Sequence, residues 1–315
     1  MKRKKLFVFS FCFFSFLAST LLLVYHALPG ILEYYYLEKG YKEAKLEIKH
    51  IKIGRDRFEY GETGKGPTLL LVHGFQGDKR SWLSYIKRLN KDFRVIALDL
   101  PGHGESEAPR TMKYDLESQA RFVEVFVRKV GLKKFHMMGI SMGGGISTVY
   151  ASMYPDRVQK LIVINPFGSG DARKSDIEKE IEKGNNVFFP ESLEELDEFI
   201  TYIRGKPLSL AKMFKEHLLQ KLKEKQAFYR KVFYQLITSE KLEPFLPEIK
   251  AKTLIVVGEK DQILHYSSVD SYKKLVPKVS AKIFKDGNHV FSGPLLEKMV
   301  DMVKTFLLDQ SATDK

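Results

Sequence analysis

One pentapeptide, Gly139-Ile140-Ser141-Met142-Gly143, limits what this chain can fold into more than any other stretch. It follows the apolar run Phe135 to Met138 and opens a helical pattern carrying Ile146, Val149, Tyr150 and Met153, which stops near Pro155. A serine on a sharp strand-to-helix turn takes unfavourable backbone angles, and side chains at the flanking positions collide with neighbouring backbone, so glycines are needed there. The hydroxyl is pushed into the open. The helix beside it aims backbone N–H groups and the positive end of its dipole at the same point. Ser141 is therefore the candidate nucleophile.

The surrounding sequence supplies the sheet that such a turn requires. Short continuous apolar runs recur at Leu69 to Val72, Val95 to Leu98, Phe135 to Met138, Leu161 to Ile164, Leu254 to Val257 and Ile283-Phe284. Runs of this kind suit strands buried on both faces, and the longer periodic segments between them suit helices, so the fold class is α/β with a mostly parallel central sheet. Ahead of them, alternating residues from Leu46 through Ile53, the Gly54-Arg55-Asp56 turn, and Phe58 and Tyr60 predict an antiparallel hairpin. Between Asn165 and Lys250 no strand is evident, which predicts an inserted helical cap at about 166–250. Ser192-Leu193-Glu194-Glu195 reads as a capping box before Leu196, Phe199, Ile200 and Ile203 at helical spacing. A second helix is expected from Pro207, with Ala211, Phe214, Leu218 and Leu222 on one face; packing onto the sheet explains most of these apolar residues more simply than ligand contact.

A serine hydroxyl is a weak nucleophile until a base takes its proton, so the turn predicts an acid and a histidine further along the chain. Asp261 follows the run Leu254 to Val257, and His289 follows the last short strand within Asp286-Gly287-Asn288-His289. Each falls where a strand's C-terminal end leaves the sheet, the edge at which open α/β sheets gather ligands. The other histidines are less well placed. His73 adjoins a turn, His103 lies in a glycine-rich loop, His136 is inside a strand, His217 is on a cap helix, and His265 lines a loop or begins a helix. Asp99 reads as holding a structural turn and Asp286 as an exposed one. The oxyanion of a tetrahedral intermediate needs two N–H donors; Met142 supplies one, and Phe75, after His73-Gly74, the other. The catalytic set is thus Ser141, Asp261 and His289 with Phe75 and Met142 as the oxyanion hole. It implies no metal and no cofactor, and the paired-cysteine and His-Glu-x-x-His metal signatures are absent from the sequence.

Taken together, His73-Gly74-Phe75, Asp99-Leu100-Pro101-Gly102-His103-Gly104, Gly139 through Gly144, and the Asp261 and His289 loops resemble the α/β-hydrolase family from about Leu46 onward. Phe228-Tyr229-Arg230-Lys231-Val232-Phe233 and Asp261-Gln262-Ile263-Leu264 are similar to its branch of membrane-anchored monoacylglycerol lipases and related bacterial lipases. The resemblance implies hydrolysis of acylglycerols, monoacylglycerol above all, although the cap of this fold changes its substrates while the triad stays fixed. Ser141 in place of aspartate argues against dehalogenases and epoxide hydrolases, and the absence of tryptophan after His289 against carbon–carbon bond hydrolases. Carboxylesterase and thioesterase activities stay open, as does a non-catalytic ligand-binding role, against which the complete triad counts.

The N-terminus adds a second theme. Leu6 to Leu28 carries no charged side chain and follows Lys2-Arg3-Lys4-Lys5, which is long enough to cross a bilayer core as a helix. A secretory signal has a shorter apolar region ending at a small-x-small site; apolar residues continue here past Ala18-Ser19-Thr20, so residues 1–28 are read as an uncleaved single-pass anchor. Residues 29–45 form a juxtamembrane segment, with Tyr34-Tyr35-Tyr36 either at the bilayer interface or packed on the catalytic domain, 46–315. The basic residues before the run favour a cytoplasmic N-terminus, but Lys39, Lys42, Lys45 and Lys49 dilute the asymmetry and leave the side open. With 52 basic against 39 acidic residues the net charge is +13, which suits phospholipid headgroups or nucleic acid; no nucleic-acid-binding motif accompanies it, so the expected partners are a lipid ester and the bilayer, with no nucleic acid and no obligate protein partner. The single cysteine, Cys12, excludes an intrachain disulfide.

Overall fold

The computed structural model describes the backbone of residues 2–309 and the side chains of residues 23–309. In chain order the elements are α1 (Lys2–Ala44), the hairpin β1 (Glu47–Ile53) and β2 (Asp56–Thr63), β3 (Thr68–Val72), a 3-10 turn (Lys79–Trp82) running into α2 (Leu83–Leu89), and β4 (Arg94–Leu98). Next come α3 (Leu116–Val130), β5 (Phe135–Ile140), α4 (Met142–Met153) and β6 (Val158–Ile164). Four helices follow: α5 (Asp176–Glu182), α6 (Leu193–Arg204), α7 (Lys212–Glu224) and α8 (Gln226–Ile237). The chain closes with β7 (Lys252–Gly258), α9 (Ser268–Leu275), β8 (Val279–Phe284) and α10 (Gly293–Leu308).

The eight strands form one sheet in the order β1-β2-β4-β3-β5-β6-β7-β8. The β1/β2 and β2/β4 pairs are antiparallel and every later pair is parallel, in keeping with an antiparallel hairpin ahead of the continuous apolar runs that begin at Leu69. Strand side chains alternate between two cores. Leu70, Val72, Ile96, Leu98, Met137, Leu161, Val163, Ile255 and Val257 join one with α3 and α4. Leu69, Leu71, Val95, Ala97, Met138, Ile162, Leu254 and Val256 join the other with α2 and α10. Strand order reverses around β3, whose neighbours are β4 and β5. The loops leaving β3 and β5 therefore emerge side by side at the carboxyl edge, a topological switch point of the sort where open α/β sheets hold ligands.

The stretches read as anchor, 1–28, and juxtamembrane segment, 29–45, share one helix, α1, which runs unbroken with Pro29 inside it. Its C-terminal end docks on the body: Ala44 and Tyr41 pack into the α2–α10 core, and Glu33 pairs with His217 at 2.9 Å, Lys221 at 2.8 Å and Arg80 at 3.5 Å. Among the described residues no helix is long and apolar enough to cross a membrane; the side chains of residues 1–22, most of the expected anchor, lie outside that description. The helix expected from Pro207 begins only at Lys212, since Gly205 at φ +74° ends α6 and the chain stays out of helix until Ala211. At Ser192 only half of the capping box forms. Ser192 accepts from the Glu195 N–H, but the Glu195 carboxylate accepts from Glu191 instead, while a complete box caps α5 at Ser175 and Glu178.

Candidate active site

Ser141 lies between β5 and α4 with φ +55° and ψ −123°, a region β-carbon-bearing residues rarely occupy and one found at functional sites. The turn is held from both sides. The Ser141 N–H donates to the Ile164 carbonyl at 2.9 Å, and the Ser141 carbonyl accepts from Phe167 and Gly145 at 3.0 and 3.1 Å. The flanking glycines have a direct steric cause: a Cβ on Gly139 would stand 2.1 Å from the Gly143 carbonyl oxygen, and one on Gly143 would stand 2.1 Å from that of Val72. Side chains at either position would push β5, α4 and β3 apart.

His289 and Asp261 meet from separate loops. The His289 Nδ1 lies 2.8 Å from Asp261 Oδ2, and because a carboxylate only accepts, Nδ1 carries the proton and Nε2 keeps its lone pair. Asp261 is saturated, its Oδ1 accepting from the Ile263 and Leu264 N–H groups at 2.8 and 3.0 Å. These loops are pressed together tightly enough that a Cβ on Gly258 would come 2.4 Å from the Gly287 oxygen. Ser141 and His289 line one cavity of about 140 Å³. In this conformation the Ser141 hydroxyl makes no hydrogen bond to the imidazole, a contact that commonly tightens only with substrate bound.

The expected oxyanion donors flank the same point. Met142 begins α4, and its buried side chain places Sδ 3.8 Å from Gln119 Nε2. Phe75 follows Gly74, whose Cβ position would be 3.2 Å from the Ser141 Cβ; the loop after β3 thus passes directly over the nucleophile. The Phe75 ring stands among Phe188, Tyr229 and Phe233, at centroid distances of 5.9, 5.6 and 6.1 Å, and Gln76 Nε2 donates to the Phe188 carbonyl at 2.9 Å. The helices between β6 and β7 are thereby fastened to the expected oxyanion loop. They also wall a larger cavity of about 420 Å³, which reaches Ser141 and Met142 and is lined by Phe167, Ile181, Leu236 and Ile263 among others.

Several positioning groups escape sequence reasoning. Lys79 is buried, with Nζ 2.7 Å from Asp99 and 2.6 Å from Glu59. Burial opposes its charge, yet the two carboxylates hold its pKa above that of an ordinary lysine. Asp99 also accepts from the Lys79 and Glu105 N–H groups, which ties the loop after β3 to the loop after β4. Asn165, at φ +41°, donates to the carbonyls of Asn288 and His289 at 3.2 and 2.8 Å and accepts from the Gly258 N–H at 2.9 Å. A polar residue directly after the apolar run Leu161 to Ile164 is the one signal that marks it in the sequence.

The remaining histidines stand apart from the reaction point. His73 and His103 are buried, and burial lowers both, His103 to about 3. His136 is lowered to about 4 inside β5, and His217 pairs with Glu33. His265 bonds Ser267 at the start of α9. Asp286 is exposed and pairs with Lys260 at 2.7 Å. Among the described residues no group of His, Cys, Asp and Glu is arranged to hold a metal ion.

The chain is similar to known proteins over most of its length. Residues 67–197 match the family model for the alpha/beta hydrolase fold. Lipase 1 of Psychrobacter immobilis is 31% identical over 273 residues, covering 84% of this chain and 85% of that one. The monoacylglycerol lipase ABHD6 of Homo sapiens is 27% identical over 291 residues, covering 85% and 84%. Among solved structures, a membrane phospholipase A described as a bacterial virulence factor superposes with a TM-score of 0.85 at 31% identity, covering 98% of both chains.

Proposed function

The chain belongs to the α/β-hydrolase family, and from that premise we propose that it is a serine esterase cleaving the carboxylic esters of lipids, monoacylglycerol or another acylglycerol foremost, through an acyl-enzyme on Ser141. The observation that carries this reading is the left-handed Ser141 sharing a cavity with a histidine whose far nitrogen is held by a buried carboxylate. His289 Nε2 takes the hydroxyl proton as Ser141 Oγ bonds to the ester carbonyl carbon, and Asp261 stabilises the imidazolium that results. The Phe75 and Met142 N–H groups receive the developing oxyanion. His289 returns its proton to the leaving alkoxide. Water then repeats the sequence against the acyl-enzyme, releasing the fatty acid and restoring Ser141.

The segment between β6 and β7 acts as a cap: its helices and loops together contribute most of the apolar wall that an acyl chain would meet. The N-terminal half of α1 is the anchor. Residues 6–28 would span about 35 Å as helix, slightly more than a bilayer core of about 30 Å, and Tyr34, Tyr35 and Tyr36 are exposed rather than packed on the body, which suits an interfacial aromatic belt.

Purified full-length protein in detergent is expected to hydrolyse short-chain p-nitrophenyl esters and 1-monoacylglycerol, with Ser141→Ala lowering kcat by about 10⁴-fold or more. Unchanged turnover in the variant would overturn the assignment. Retention of the protein in carbonate-washed membranes, with its N-terminus intact by mass spectrometry, checks the anchor separately.

A further inference from the structure

Stabilising an oxyanion asks for an N–H group whose direction is fixed before the ester arrives. In the reading above that group is the Phe75 N–H, and the peptide unit it belongs to is clamped from its other end. The Gly74 carbonyl accepts from the Gly77 N–H at 3.0 Å and from His73 Nδ1 at 2.8 Å. His73 Nε2 accepts from the Leu100 N–H at 3.0 Å, so Nδ1 holds the proton. A trans peptide is planar, and its N–H points away from its oxygen. With the oxygen held on one side, the Phe75 N–H is turned to the other, where it makes no hydrogen bond among the described residues.

The bond from Gly77 to Gly74 closes a four-residue turn whose third residue, Gln76, is left-handed at φ +58° while Phe75 is not. That is the φ pattern of a type II turn, which ordinarily puts glycine third. A glutamine there is strained, and strain of this kind persists only where the surroundings over-determine it. The outside support comes from its own side chain: Gln76 Nε2 donates to the Phe188 carbonyl at 2.9 Å. Phe188 belongs to the insertion, and Phe75 and Phe188 both line each of the two cavities at Ser141, so the tie stands beside the space that substrate would fill. Resting on the ester-hydrolase reading above, we propose that Gln76 is a positioning residue for the oxyanion hole. Its amide, braced on the Phe188 carbonyl, keeps the turn in the conformation that aims the Phe75 N–H, and it touches no reacting atom itself. Through it the insertion lends one backbone carbonyl to the rate of the reaction.

Two variants of the full-length protein test this. Gln76→Glu keeps the size and removes the donor, and Gln76→Gly suits the left-handed turn but removes the tie. Each is expected to lower kcat about tenfold for short-chain p-nitrophenyl esters, with KM changed less than twofold. Thermal unfolding of Gln76→Gly should shift by less than about 3 °C, because relieved strain offsets the lost bond. A pair of ligands separates aim from packing. With a long-chain trifluoromethyl ketone, Ser141 Oγ bonds to the carbonyl carbon, His289 takes the hydroxyl proton, and the carbonyl oxygen becomes an oxyanion; the secondary alcohol of the same chain forms none. Both variants should bind the ketone about tenfold more weakly and the alcohol within twofold of wild type. Full activity in Gln76→Gly, or equal losses on ketone and alcohol, would overturn the role. Failure of the hydrolase reading looks different: the wild-type protein would cleave no ester and bind the ketone no more tightly than the alcohol.

Discussion

The carboxyl edge of the sheet and the helices inserted after β6 are built on opposite terms. Along β3 to β7 almost every side chain is fully buried, and the loops at their ends are locked by contacts that a single methyl group would violate. In the insertion, α7 has no buried residue, and the aromatic cluster of Phe189, Tyr229 and Phe233 is a small one, packed by Ile181, Phe188 and Phe228 of the insertion itself and by Phe75 from the body. A packed interior tolerates no small displacement, whereas a loosely buried segment accepts substitution cheaply. The division assigns rate to the sheet edge and the shape of the acyl site to the insertion.

The strongest way to break that division is Asp261→Asn. It preserves the contacts around the loop but loses the charge that fixes the imidazole, so kcat should fall by roughly 10⁴-fold for every ester, with thermal unfolding nearly unchanged. A loss confined to one ester class would contradict it. Lys79→Met comes next: it strands the buried Glu59 and Asp99 carboxylates, and urea titration should show about 3–5 kcal/mol less stability. A variant that keeps its stability would mean that the loops after β3 and β4 are not held by this cluster.

Acid sharpens the comparison, because buried neutral histidines lie in the body. Burial lowers His103 from the ordinary 6.5 to about 3 and His136 to about 4, so on acidification the unfolded chain takes up protons first. Stability should therefore be full above about pH 6.5 and fall as the pH drops toward the folded values; His103 alone accounts for a loss on the order of 2 kcal/mol by pH 5. Urea midpoints between pH 8 and 5 check this, and His103→Asn should flatten the slope. The smallest effect belongs to the contact between α1 and the insertion. Glu33 is about a third exposed, so Glu33→Gln should cost less than about 1 kcal/mol and leave kcat unchanged; a larger change in either would join α1 to the rigid body instead.

What the sequence made legible follows from the range of the forces involved. The Ser141 turn could be read because glycine placement and apolar rhythm are local, and Asp261 and His289 because each closes a strand whose apolar run is visible. Lys79 could not: in sequence it sits between Asp78 and Arg80 and looks solvated, and only the packing of β2 and β4 brings Glu59 and Asp99 around it. The helix expected from Pro207 was displaced for the converse reason, a local signal at Gly205 that the apolar periodicity concealed.

Asn165 has a consequence for anyone who would redesign this protein. One amide side chain grips the loops that carry Asp261 and His289, and the chain that leaves it becomes the insertion. Acid and base thus keep their spacing from a clasp placed just before the variable part begins. A transplant that exchanges the segment beyond Phe167 for another of different length can alter the acyl binding site while keeping both the clasp and the Phe167 N–H bond to the Ser141 carbonyl.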